Sequence, residues 1–146
     1  MIREILRDYI IGELTDITDE LATYPFTTGV LTPAVFTTQS IPEDSKYPVI
    51  FIGPSLGGDR FGARGYKGGD FQCDIFMYTN KVKSLKTFEN LSRDLWDGLN
   101  RGNIESYVPT GWNSWGVRAD LPIGTSDKDG FPGYRILVSL RLLETS

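Results

Sequence analysis

Two apolar runs held apart by a glycine-rich stretch place the strongest constraint on how this chain folds. Tyr47-Pro48-Val49-Ile50-Phe51-Ile52 is apolar at every position and suits a strand covered on both faces, while Phe71, Cys73, Ile75 and Met77 fall on one face of the run Phe71 to Tyr78. Between the two runs, Gly57 to Gly69 is far longer than a tight hairpin needs. A loop that costs entropy to order and adds nothing to a core is expected to do something else. Its composition points to assembly: Arg60, Arg64 and Lys67 alternate with Phe61 and Tyr66, and arginine and aromatic side chains are enriched where proteins meet.

The rest of the chain supplies elements that pack on this unit. Ile2, Ile5, Leu6, Tyr9, Ile10, Leu14, Ile17 and Leu21 recur at three and four, with Arg3, Glu4, Arg7, Asp8, Glu13 and Asp16 opposite, which predicts an amphipathic helix. Gly12 weakens its middle by about 1 kcal/mol relative to alanine, and Thr15 or Asp16 is placed to cap a second piece. Tyr24-Pro25 and Thr27-Thr28-Gly29 read as a connection, and Thr32 to Thr38 as a short strand starting at Pro33. After Ser84, Leu85, Phe88, Leu91, Leu95 and Leu99 line one face of a second helix, with Trp96 beside them and Gly98 and Gly102 at its exit. Trp115, Val117, Ala119 and Leu121 mark one face of the next strand. Pro122 to Pro132 reads as a second long polar loop carrying Asp127, Lys128 and Asp129, and the final strand puts Tyr134, Ile136, Val138, Leu140 and Leu142 on one side.

This order predicts a single α+β domain over residues 1–146: a mixed, mostly antiparallel sheet with two α-helices packed on one face. Direction can be counted along the chain. If the strand at Tyr47 runs up, the strand at Phe71 runs down, the helix returns up and the strand at Trp112 runs down, parallel to that at Phe71. The two long loops are then expected at opposite ends of the sheet.

Composition narrows the chemistry. The chain has no histidine, which removes the commonest general base and the commonest zinc ligand together. Its single Cys73 lies on an apolar strand face and reads as a small buried hydrophobe. Asp127-Lys128-Asp129-Gly130 lacks the alternating ligands and terminal glutamate of a calcium loop, and no Gly-Lys-Ser/Thr closes the glycine-rich stretch as a phosphate loop would require. No catalytic residue, cofactor site or metal site is predicted, and the protein is not expected to be an enzyme. The net charge of −4 argues against general nucleic-acid binding, although the basic and aromatic residues of the loop could stack on a single strand. There is no stretch of membrane-spanning length, and Met1-Ile2-Arg3-Glu4 lacks a signal-peptide layout, so synthesis and residence inside the cell are expected.

The amino-terminal amphipathic helix, Pro33-Ala34-Val35-Phe36, Tyr47-Pro48-Val49-Ile50-Phe51, a strand-loop-strand, one helix and two closing strands together resemble the tail-terminator, or tail-completion, proteins of lambda-type phages with long non-contractile tails. The resemblance spans almost the whole chain and rests on element order and short apolar motifs. It implies a subunit of a hexameric ring that caps the tail tube, stops its polymerisation and offers a joining surface to the head connector. The implied partners are further copies of the chain, the tail tube protein and a head-completion protein, and the implied location is the tail-neck junction of a virion made in the host cytoplasm. Other neck or tail proteins, such as a head-completion protein or a tube subunit, and a nucleic-acid module using the basic loop are the competing expectations.

The assembly residues expected from these patterns are Arg60, Phe61, Arg64, Tyr66, Lys67, Asp127, Lys128 and Asp129. Replacing Arg60, Phe61, Arg64, Tyr66 and Lys67 with glycine and serine should preserve the thermal unfolding transition and abolish assembly; loss of the transition would make the loop a structural element.

Overall fold

The computed structural model describes residues 2–27, 29–37, 46–54, 56–57, 68–79, 85–126 and 130–144. Helix α1 (Ile2–Glu13) is followed at once by a one-turn α2 (Thr15–Thr18), and α3 spans Leu85–Arg101. The strands are β1 (Thr23–Thr27), β2 (Val30–Pro33), β3 (Val35–Phe36), β4 (Val49–Ile52), β5 (Leu56–Gly57), β6 (Gly68–Tyr78), β7 (Trp112–Ala119), β8 (Ile123–Ser126) and β9 (Pro132–Glu144). The main sheet runs β3-β4-β6-β9-β7, with β5 paired to β6 and β8 paired to β9; β1 and β2 form a separate two-stranded sheet. Among the described strands only β3 and β4 pair in parallel, so the domain is α+β with a mixed, mostly antiparallel sheet.

The spine is β6 against β9, paired without interruption from Gly68↔Leu143 to Tyr78↔Gly133. Their alternation sends Cys73, Ile75 and Met77 to the same face as Ile136, Val138, Leu140 and Leu142, where α1 contributes Ile2, Ile5, Leu6, Tyr9 and Ile10 and α3 contributes Phe88, Leu95 and Leu99. Both longer helices therefore share one face, as the apolar stripes predict. On the other face, Ala34, Phe36, Val49 and Tyr78 form a second, smaller core, joined by Tyr24, Tyr47, Phe51 and Phe76. Phe51 stacks on Phe76 with ring centroids 6.1 Å apart, and Phe76 on Tyr78 at 5.8 Å. This second core is why the run at Tyr47 is apolar on both sides.

The counted directions hold: β7 and β6 are each antiparallel to β9 and so run the same way. Several expectations need correction. The connection at Tyr24-Pro25 is strand β1, turned back on β2 through Gly29 at φ 82°; a proline is tolerated there because, among the described strands, β1 has a neighbour on one side only. Pro33 ends β2 instead of opening a strand, and Ala34 links the two sheets, donating to Ala22 O and accepting from Ile50 N. The glycine-rich stretch is shorter than it looks, since Gly57 belongs to β5 and Gly68 and Gly69 to β6.

The stretch after β7 also departs from the expectation. β7 carries a bulge between Ser114 and Val117, with Gly116 at φ 101°, so its alternation restarts there. Leu121 lies beyond the strand and is 64% exposed, against the expectation that it joins the core. Pro122 lacks an N–H, and the chain carries one residue more than β9 between the pairs Ala119↔Val138 and Ile123↔Arg135, which turns Leu121 outward. The expected long loop from Pro122 opens instead with β8, a weak strand sequence held by pairing with Pro132 to Arg135.

The helix layer is fastened by close approach at glycines. The Tyr9 hydroxyl donates to Gly98 O at 2.8 Å, and a Cβ on Gly102 would overlap that hydroxyl. A Cβ on Gly98 would lie 2.7 Å from Leu14 Cδ2, and one on Gly12 would overlap the Tyr107 hydroxyl. Gly98 and Gly102 thus form a notch for α1, and α2 begins after Leu14 without a side-chain cap from Thr15 or Asp16. Gly102→Ala should displace Tyr9 and destabilise the fold by about 1–3 kcal/mol in denaturant unfolding, whereas the same change at Gly29, where no atom lies within 4 Å, should act only through its φ of 82°.

Candidate assembly surfaces

Two of the arginines expected on the solvent side of α1 work as clamps on the sheet. Arg3 donates from Nε (3.1 Å) and Nη2 (2.8 Å) to Ile52 O, where β4 breaks before β5, and Arg7 Nε donates to Val35 O of the edge strand β3 at 3.0 Å. Their spacing of four puts both on one side of the helix. At the opposite edge, Asn100 imitates a neighbouring strand: its Nδ2 donates to Ala119 O at 3.0 Å and its Oδ1 accepts from Ala119 N at 2.9 Å, while Trp96 Nε1 donates to the same carbonyl at 2.9 Å. Edge groups of β3 and β7 are thereby closed by side chains of α1 and α3.

Arg60, Phe61, Arg64, Tyr66, Lys67, Asp127, Lys128 and Asp129 lie outside the described residues. The points where their segments leave and rejoin the sheet are described. Gly57 and Gly68 sit at one end, beside Phe71 and Leu143, and Ser126 lies at the other, paired to Pro132 next to the Tyr78↔Gly133 pair. The ten residue steps of β6 between these ends correspond to about 33 Å.

The outward face of β6, β9 and β7 is polar. Arg141 pairs with Asp70 directly across the ladder, Nε to Oδ1 at 2.7 Å and Nη2 to Oδ2 at 3.1 Å, and this guanidinium holds the Asp70 carboxyl below its ordinary value. Arg135 approaches Asp74 at 3.6 Å. Together with Gln72, Arg118 and Ser139, Asp70 and Arg141 line a shallow depression of about 540 Å³. A second cleft of about 570 Å³ lies where α1 and α3 end, between Glu13, Arg101 and Glu105. Exposed pairs of this kind contribute little to stability and suit recognition through charge.

Among the described residues, large exposed apolar side chains lie elsewhere. Val30 (52%), Leu31 (67%), Leu121 (64%) and Ile123 (61%) are large side chains left open, two on the β1–β2 hairpin and two around β8. The sequence patterns mark none of them as a contact residue: periodicity assigns Leu121 to an inward strand face, and Val30, Leu31 and Ile123 fall in turn-rich stretches with no periodicity to mark them.

Among the described residues no group of three His, Cys, Asp or Glu side chains is arranged to hold a metal, and no helix is long and apolar enough to cross a membrane. Cys73 is buried in the main core, as its place on the apolar face predicts, and burial pushes its thiol up to about 12. No family model and no curated protein matches this chain.

The raised Cys73 value has a definite sign. A thiol whose folded value exceeds the ordinary 9.0 contributes stability that is complete below about pH 9 and is lost as pH rises towards 12. Tyr9, raised by burial, and Tyr107, raised by its hydrogen bond to Glu13, act in the same direction above about pH 10. Thermal melting should therefore be level from pH 7 to about 8.5 and fall above 9, and the fall should be shallower in Cys73→Ala; identical slopes would mean that the thiol does not titrate with unfolding.

Proposed function

We propose that the chain is a phage tail terminator: a subunit of a ring, hexameric by resemblance, that caps the tail tube, stops its polymerisation and presents its other side to the head connector. The observation that carries this reading is the placement of the anchor residues of the two candidate contact segments at opposite ends of one sheet, Gly57 and Gly68 at one and Ser126 at the other. A capping ring needs two axial surfaces, one for the tube and one for the connector, and a subunit whose rigid sheet spans between them supplies both. The acidic balance of −4 favours protein over nucleic acid as the partner. Catalysis has no part in this reading, and residence at the tail-neck junction follows from it.

The decisive experiment is electron microscopy of particles from the phage or prophage carrying a stop codon in this gene. Tails of uncontrolled length that fail to join filled heads are the expected result. Tails of normal length that merely fail to join would assign the chain to the head side of the neck, and normal infectious virions would overturn the assembly reading.

A further inference from the structure

We infer that the β1–β2 hairpin of one copy, through Val30 and Leu31, seats on the β8 edge of a second copy, at Leu121 and Ile123. This contact deepens the ring proposed above and rests on that reading for its closure, but it stands on its own observations.

The first is the treatment of edges. Arg7 closes the β3 carbonyl at Val35, and Asn100 with Trp96 closes Ala119 of β7. No described side chain bonds to the backbone of β8, and its four residues are half-buried or exposed. An uncovered edge is ordinarily blunted by lysine or another charge. Here the sequence has none: no Asp, Glu, Lys or Arg occurs between Asp120 and Asp127.

The second is a matching absence of charge on the hairpin. No charged residue lies between Glu20 and Glu43, a segment that contains β1, β2 and β3, in a chain that is 23% charged. Two copies each carrying a net −4 repel through most of their surfaces. Neither segment carries a charge of its own, each offers two large exposed apolar side chains, and the ions that border the β8 side already have partners, Asp120 with Arg118 and Arg135 with Asp74.

The third is position. β8 lies beyond β9 on the side away from β6, and the hairpin joins the sheet through β3 at the far side, four strand spacings or about 19 Å away. Both attach at the same end, since Ala22 binds Pro48 O at the start of β4 and Ile123 pairs with Arg135 near the start of β9. Different surfaces on opposite sides of one subunit make a head-to-tail contact, which repeats around a ring when the rotation closes. The partner is therefore a further copy of this chain.

Complementation tests this directly. The wild-type chain should sediment above its monomer mass of 16.3 kDa at high concentration. V30D/L31D and L121D/I123D should each keep the thermal transition and weaken self-association by about 30-fold or more. Mixed in equal amounts, the two variants should form a species of two copies, because each retains the surface the other has lost. The milder pair L31S and I123S gives the same readout if an aspartate pair fails to fold. A wild-type chain that stays monomeric at millimolar concentration, a variant that associates like wild type, or a mixture that remains monomeric would overturn the contact. Overgrown tails in the stop-codon phage alongside any of these would leave the terminator reading standing without this interface, and two-copy complementation with normal virions would leave the interface without that role.

Discussion

The continuous pairing of β6 with β9 is the interaction on which the other elements depend. Every residue from Gly68 to Tyr78 has a partner between Leu143 and Gly133, so a slip of one would turn Cys73, Ile75 and Met77 to the polar side and bring Asp74 and Gln72 under the helices. With that register set, β4 and β5 attach along one flank and β7 and β8 along the other. The length of this ladder also separates the points where the glycine-rich segment and the segment after Ser126 leave the sheet.

The helices do more than cover the apolar face. Arg3 and Arg7 of α1 and Trp96 and Asn100 of α3 reach past the core to carbonyls at the two sides of the sheet, which removes those groups from competition with other chains. Tyr9 holds the two helices together by bonding Gly98 in a notch that Gly102 leaves open. Among the described residues no side chain bonds to the backbone of β8, and neither β8 nor the hairpin carries a charged residue.

Much of this architecture was legible from side-chain periodicity. The stripes of α1 and α3, the alternation of β6 and β9 and the two-sided apolar character of β4 each report burial that the element must achieve somewhere, so period alone assigns their type and inward face. The hairpin and β8 were missed for a related reason: Thr23–Thr27 contains a proline, Ile123–Ser126 has one large apolar residue, and both become strands because a partner supplies their hydrogen bonds. Arg3 and Arg7 were placed with the solvent-facing charges because periodicity sorts side chains by polarity and is blind to a long polar chain that bends back to a carbonyl.

What the amino-acid sequence by itself determined is the α+β composition, the direction of each main strand and the absence of histidine chemistry, because these follow from local pattern and residue inventory. Only the tertiary structure decided which backbone carbonyls the helix side chains reach, where Leu121 and the hairpin lie, and that β8 pairs with the start of β9. Those properties depend on register, on one-residue bulges and on contacts between residues as far apart as Tyr9 and Gly98, Arg3 and Ile52, or Asn100 and Ala119. Local propensity carries no information about such pairs, since their energy exists only once the ladder has brought them together.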